Sequence, residues 1–303
     1  MTVTLVTSAC GAPPPPQRAE PDAGVDLEAQ ITAFTSTLDQ RRHYRPPDSH
    51  ERTAIADGVR LLLDGRRRDA ARQLDDYGYT LTELTDRPSG RRFAEVAEVA
   101  EVAEVAEKDG EGADRARGWG RVYVELSGRP KWSVQVPHPV ADARTEVPAA
   151  RLIRTAPGGV LVLAGAHRMV GRDGTEDVAH RQDTVFHAVV KTLGGRKLPG
   201  VQLHGFADES APGFDVIAST GAGEYGRADG RAFAGALRKE ELRVCRAWAR
   251  QCKLAGRTNV QGRAAAAAEV PFLHAEFSRS VRDDDSRIQK AVRSLTGLAK
   301  RWQ

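Results

Sequence analysis

Three short apolar runs each end in a group that can hold a metal ion or move a proton, and this pattern constrains the fold more than any other feature. The first run, Trp132-Ser-Val-Gln-Val136, alternates apolar residues, stops at Pro137 and delivers His138. Asp142 and Glu146 follow at steps of four, just ahead of a helical pattern. The second run is Val201-Gln-Leu-His204-Gly-Phe206, and the third, Val270 to Phe277, carries His274 and Glu276 and leads into Ser278 and Arg279. Period-two alternation bounded by Pro or Gly reads as a β-strand. Open α/β sheets place their ligands at the carboxyl ends of strands. A chain with three such runs needs one sheet that brings those ends together.

The remaining pattern supplies that sheet. Gly159-Val-Leu-Val-Leu-Ala-Gly165 is nearly continuous in apolar residues, the mark of a central strand buried on both faces. Val122–Leu126 and Trp132–Val136, joined by Ser127-Gly-Arg-Pro130, read as a hairpin; Tyr77–Leu84 and Phe214–Ser219 read as further strands. Helical spacing covers Asp26 to about Asp76, with a capping start at Asp48-Ser49-His50-Glu51. It returns over Thr145–Thr155, Thr184–Leu193, Arg231 to about Arg250 and Ser286–Trp302. The expectation is an α/β fold, a mixed central sheet covered by helices on both faces. The domain reading is a flexible tether over 1–25, a small, mostly helical N-terminal region over 26–116, and an α/β domain over 117–303. Inside the second region, Glu-Val-Ala repeats four times over Glu95–Ala106. A period of three drifts around a helix and makes no apolar stripe, so the repeat reads as an insert at a tolerant surface position.

Composition excludes several classes. The 45 basic and 41 acidic residues leave a net charge of only +4. No basic stripe is interleaved with aromatics, so no nucleic-acid partner is expected. No apolar run reaches membrane-spanning length. The start of the chain, with Ser8-Ala-Cys10-Gly and then Pro13–Pro16, resembles the end of a bacterial lipoprotein signal. The expectation is a secreted or cell-envelope lipoprotein that touches membrane only through a lipid on Cys10. Cys245 and Cys252 would lie about 10 Å apart on one continuous helix, beyond the roughly 7 Å that a disulfide tolerates. They can pair if the helix ends and the chain folds back, which an oxidising compartment favours; the alternative is two buried thiols.

Read for chemistry, His138, Asp142 and His204 make three ligands of an open zinc site. Glu146 is an alternative carboxylate ligand. Glu276, mid-strand among apolar neighbours, is the candidate catalytic base, because an isolated carboxylate is costly to bury without a task or a partner. Arg168, Arg279 and Arg282 are candidates to hold a substrate carboxylate. His167 and His180 read either as cleft-facing or as structural, His187 as core-edge, and His43 and His50 as surface. His274 shares a strand face with Glu276. No Gly-x-Ser-x-Gly occurs, which argues against a serine hydrolase.

The order His138, Asp142, Thr145-Glu146, then His204-Gly205, then Glu276-Phe-Ser278 with Arg279 and Arg282, resembles the phage-type poly-γ-glutamate hydrolases. The resemblance covers about residues 132–300. It implies an open version of the zinc carboxypeptidase fold, a bound Zn2+, and hydrolysis of a γ-glutamyl or peptide amide bond in an extracellular or envelope polymer. The first motif is one residue shorter than the family's and has Asp where the family has Glu. Either Asp142 or Glu146 could therefore be the metal carboxylate, with Asp142 preferred. The second function class is a lipoprotein of the same fold that binds a ligand or metal without turnover.

Overall fold

The computed structural model describes residues 24–38, 44–99, 116–170 and 174–303. Cys10, His43 and the repeat from Ala100 onward lie outside these residues. Among the described residues, nine strands form one mixed sheet. They are β1 (Tyr79–Thr85), β2 (Arg92–Glu98), β3 (Arg121–Glu125), β4 (Trp132–Val136), β5 (Gly159–Leu163), β6 (Gly200–Phe206), β7 (Val216–Ser219), β8 (Val244–Arg246) and β9 (Phe272–Ser278). Their spatial order is β1-β2-β3-β5-β4-β6-β9-β7-β8. The centre, β5-β4-β6-β9, is parallel, and antiparallel strands flank it on both sides.

Helices cover both faces. On one side α1 (Leu27–Ser36), α4 (Glu146–Thr155), α6 (Arg227–Lys239) and α9 (Asp285–Arg301) pack on Trp132, Val134, Leu161, Leu203 and Phe277. On the other, α2 (Ser49–Leu63), α3 (Arg67–Asp75) and α5 (Val185–Gly195) cover Val122, Val124, Val160 and Val162. The alternation of Val160 and Val162 against Leu161 and Leu163 shows why this strand had to be apolar throughout. Each such side chain contributes roughly 1.5–3 kcal/mol by leaving water. Two further helices, α7 (Val260–Ala267) and the short α8 (Arg279–Arg282), bracket β9.

Several expectations are corrected. The β3–β4 hairpin does not form: β5 lies between them, pairing antiparallel with β3 and parallel with β4. The Ser127–Pro130 turn is short enough for a hairpin, but β5's all-apolar surface needs a strand on each edge. The boundary near residue 116 does not separate two units of structure, because β1 and β2 extend the common sheet through β3. The first residues of the Glu-Val-Ala repeat belong to β2 and are largely buried there. Their glutamates are satisfied: Glu95 accepts from Gln30, Arg121 and the Tyr123 hydroxyl, and Glu98 from the Arg117 guanidinium and three backbone N–H groups. The helix read as running to Arg250 ends at Lys239, with Glu241 in the left-handed region at φ 64°, and the chain then forms β8.

That early end lets Cys245, in the middle of β8, meet Cys252 in a disulfide, with Cα atoms 6.2 Å apart. Neither cysteine should be alkylated in the unfolded, non-reduced protein. Because the closed loop is so short, reduction should cost only about 2–3 kcal/mol of stability in a denaturant titration.

Candidate metal centre

His138 is the second residue past β4, after Pro137, and the turn that follows folds back on itself. The Asp142 N–H donates to the His138 carbonyl at 2.9 Å, Ala143 N to Val140 O at 3.1 Å, and Arg144 sits at φ 67°. This closure sets Asp142 Oδ2 3.3 Å from His138 Nδ1. His204, near the end of β6, brings its own Nδ1 to the same oxygen at 3.1 Å. All three side chains are buried, and their donor atoms lie within 4.8 Å of one another. A second group of donors, His204, His274 and Glu276, satisfies the same criterion and shares His204. Strand pairing explains it: His204 stands opposite Glu276 in the β6–β9 register, and Gln202 opposite His274. Side chains two apart on a strand share a face.

The outward nitrogens of the two histidines are also engaged. His138 Nε2 meets Asp177 Oδ1 at 2.9 Å, and His204 Nε2 meets Gln202 Oε1 at 2.8 Å. Asp177 is held in turn by Arg168 at 2.7 Å and by His180 at 3.2 Å. Such outer partners orient metal-ligating imidazoles and raise their basicity. Burial alone would raise Asp142, but the hydrogen bonds and charges of His138 and His204 hold it well below the usual carboxylate range. Burial alone would lower His138, yet its bonds to Asp142 and Asp177 raise it. His204 is pushed down by burial, and so is His274, whose ring stacks on it at 4.5 Å.

Glu276 is different in kind. Burial, reinforced by the charge of Asp142, pushes its carboxyl well above the ordinary value, and its buried Oε2 has no hydrogen-bond partner. His274 Nε2 is 3.9 Å from Oε1, too far for a hydrogen bond. A carboxyl in this state can hold a proton and release it to a nearby group. Gly256 shapes the other side of His274. It adopts φ 61°, and a Cβ there would stand 2.4 Å from the imidazole Cδ2.

The arginine assignments change. Arg282 does not face a cleft. Its buried guanidinium donates to four backbone carbonyls: Asp142 at 2.8 Å, Phe277 at 3.1 Å, Phe206 at 3.2 Å, and Ala143. Its task is to tie the turn bearing Asp142 to the strands bearing His204 and Glu276. Gly205 is glycine for this reason, since a Cβ would lie 2.4 Å from Arg282 Cζ. Arg279 points outward and pairs with Asp283. Arg168 alone of the three is partly open at the edge of the centre, where it pairs with Asp177.

Glu146 is buried as the first residue of α4 but belongs to neither donor group. The structure brings Asp142, not Glu146, against the two histidines. His167 accepts from Met169 N, His180 links Asp177 to Thr258, His187 sits in α5 with its pKa lowered to about 4 by burial, and exposed His50 meets Tyr77. Sequence reasoning did not assign Gln202, Asn259 or Gln261. Gln202 was accessible to it, because a polar residue two before His204 in an apolar strand must share its face. A cavity of about 490 Å3, lined in part by Gln135, His187 and Gln261, opens at the other ends of these strands, away from the donors.

No protein-family model and no curated protein matches the chain. Solved structures give partial overlaps of fold. One is the zinc-free form of YNDL, at 13% identity and TM-score 0.42, covering 59% of this chain and 88% of that one. A second is the tripeptide-bound cell shape determinant Csd4 from Helicobacter pylori, at 13% identity and TM-score 0.39, covering 57% of this chain and 51% of that one. A third is a metallo-carboxypeptidase from Burkholderia cenocepacia, at 13% identity and TM-score 0.38, covering 79% and 67%. The chain thus spans about half the length of Csd4.

Two outcomes follow from this geometry. Arg282→Ala should destabilise the fold by at least about 3 kcal/mol, because buried carbonyls left without a partner cost about 1–3 kcal/mol each. Arg279→Ala should change stability by no more than about 0.5 kcal/mol; chemical denaturation separates the two. Glu146 has its pKa raised to about 7 by burial, against a usual 4.5. A raised carboxyl favours the folded state below pH 4.5 and loses that contribution as pH rises through 7. Glu146→Gln should therefore match the wild type at acidic pH and exceed it at pH 8 by roughly 3 kcal/mol.

Proposed function

We propose that the chain is a zinc-dependent hydrolase of amide bonds, acting on a peptide or γ-glutamyl substrate. The observation that carries this reading is the convergence of His138 Nδ1, His204 Nδ1 and Asp142 Oδ2 on one buried point, with the unpartnered Glu276 Oε2 on the adjacent strand. Three groups that all offer electron pairs repel unless a proton or a cation lies among them. Two imidazoles and one carboxylate match the donor preference of zinc and leave a coordination position free.

Zinc bound there would polarise the scissile carbonyl and acidify water. The chain's own residues supply the rest. Glu276 takes the proton of the attacking water on Oε2 and gives it to the leaving nitrogen, a transfer for which its buried, raised carboxyl is suited. Asp177 and Gln202 hold the outward edges of the histidines so that both Nδ1 atoms stay aimed inward. Arg282 keeps the three strand ends in register.

The ground beside the centre favours an anionic substrate. Gly256 lies against His274, and Thr258 contacts His180; both line an open hollow of about 800 Å3 with Trp248, Arg250, Leu254 and Arg257. Between Glu241 and Glu269 the chain has six basic residues and no acid. Two of them, Arg250 and Arg257, line the hollow, and no carboxylate in its lining opposes an incoming one. The Cys245–Cys252 disulfide, which fastens this segment, supports an oxidising, extracellular setting. A lipid anchor at Cys10 is consistent with that setting.

The test joins metal and base. His138→Ala and His204→Ala should lose stoichiometric zinc by elemental analysis while remaining folded. Glu276→Gln should keep zinc and lose about two to four orders of magnitude in turnover on a γ-glutamyl or peptide amide. Zinc retained in both histidine variants would reject the centre. Undiminished turnover by Glu276→Gln would remove Glu276 as the base, and a wild type without turnover on amides would leave a metal-binding protein.

A further inference from the structure

We propose that the cavity between α5 and α7 is a binding site for a small amphipathic acid, one carboxylate on an apolar body, held at its charged end by His187, Lys191 and Arg263. The site lies at the opposite ends of the strands from the metal donors, and nothing in it depends on the metal reading.

The cavity exists because two helices face each other with side chains too small to meet. On α5 the facing residues are His187, Val190, Lys191, Gly194 and Gly195, and on α7 they are Val260, Arg263, Ala264, Ala267 and Ala268. Both sets run in steps of three and four, so each is one helix face. A Cβ at Gly194 or Gly195 would meet no atom within 4 Å. Protein interiors leave few voids larger than a water molecule. This one measures about 490 Å3, and small-molecule sites span about 300–1,000 Å3. Leu193, Leu198, Val270 and Phe272 make the rest of its walls apolar.

Small residues alone make only a gap; the polar groups decide what fills it. On the floor they are already bonded to protein. Gln135 accepts from Gln202 at 3.1 Å and donates to Ser133 Oγ at 3.3 Å, and Gln261 donates to the Val178 carbonyl at 2.7 Å. His187 differs. It is only 6% exposed, its Nδ1 meets Gln261 at 3.4 Å, and its Nε2 has no partner among the described residues. A polar nitrogen taken out of water without a partner is costly. Lys191 stands one turn further along the same face, close enough for its charge to act on the ring. Burial first, and then that ammonium, lower the His187 pKa to about 4, so the imidazole is neutral near physiological pH. Arg263 faces the cavity from the other helix. Both cations are exposed, and neither has an ion pair among the described residues. No aspartate or glutamate lines the cavity. Two unpaired cations and a neutral imidazole beside apolar walls complement a carboxylate carried on hydrocarbon. A cationic guest would be repelled, and a wholly apolar one would leave the imidazole unpaired.

Octanoate is the probe, titrated calorimetrically into the full chain, and it should fill one saturable site. Butyrate, four methylenes shorter, should bind at least about tenfold more weakly. Octylammonium, with the charge reversed, should also lose at least about tenfold. Lys191→Ala combined with Arg263→Ala should weaken octanoate by about three- to tenfold. Gly194→Leu and Ala264→Leu each put a side chain into the cavity and should remove octanoate binding, with circular dichroism showing both proteins folded. Octanoate held by the metal centre would be indifferent to these two fillings, so binding that survives them overturns the proposal. The absence of saturable octanoate binding overturns it too, as does octylammonium binding as tightly as octanoate. Should Gly194→Leu fail to fold, Ala264→Leu and the paired surface substitutions still decide.

Discussion

One guanidinium holds the centre together. Arg282 is buried, and instead of a carboxylate it is surrounded by the carbonyls of Asp142, Ala143, Phe206 and Phe277. Those four residues sit at the turn after β4 and at the ends of β6 and β9. Hydrogen bonds to a charged group are worth about 1.5–3 kcal/mol each, against about 1 for neutral pairs. Planar, forked donors suit Arg to such divided work where Lys would serve as a single point. The position of Asp142 relative to His204 thus depends on a side chain with no contact to either carboxylate or imidazole. Gly205 completes the arrangement by leaving the guanidinium room beside His204.

The centre is also a consequence of a sheet whose two faces differ. Toward α1, α4, α6 and α9, strands β4, β6 and β9 present Trp132, Val134, Val201, Leu203, Leu273, Ala275 and Phe277, an ordinary apolar core. The opposite face of the same strands carries Ser133 and Gln135, then Gln202 and His204, then His274 and Glu276. Period two makes this separation unavoidable: a one-residue slip in any strand would send its polar set into the apolar core. Buried polar groups are tolerated only when bonded, and here the amides bond to one another across strands. The exceptions, His274 Nδ1 and Glu276 Oε2, lie beside the metal donors.

Much of this was legible from the chain alone, and the failures are informative. The runs ending in His138, His204 and Glu276 announced strands, and alternation put the reactive groups at their carboxyl ends, where the structure gathers them. The all-apolar Gly159–Leu163 declared a central strand. What local pattern could not show was which strands are neighbours, so β3 and β4 read as a hairpin although β5 lies between them. The sign of an arginine's task was equally hidden. Arg279 and Arg282 are three residues apart in one short helix, yet one faces solvent and the other is enclosed, and only the tertiary path of the Asp142 turn decides that. Glu95 and Glu98 looked like surface residues because charge in a repeat suggests solvent. Their partners Arg121 and Arg117 arrive from beyond the repeat, and no local window contains both.

In the proposed reading, the two carboxylates of the centre would couple the metal to the base. Asp142 stays ionised because two imidazoles bond to it, while Glu276, on the neighbouring strand, is pushed toward its neutral form by burial and by Asp142 itself. Environments that drive two carboxyls apart in this way separate a permanent anion from a proton carrier. A cation among His138, Asp142 and His204 would cancel the repulsion that Asp142 exerts on Glu276, and an opposite charge nearby favours the ionised carboxylate. Glu276 would then be readied to accept a proton only when the metal donors are occupied. The same charge balance accounts for the amide chain behind His204, since neutral donors and acceptors orient the ring without adding a charge that would disturb either carboxyl.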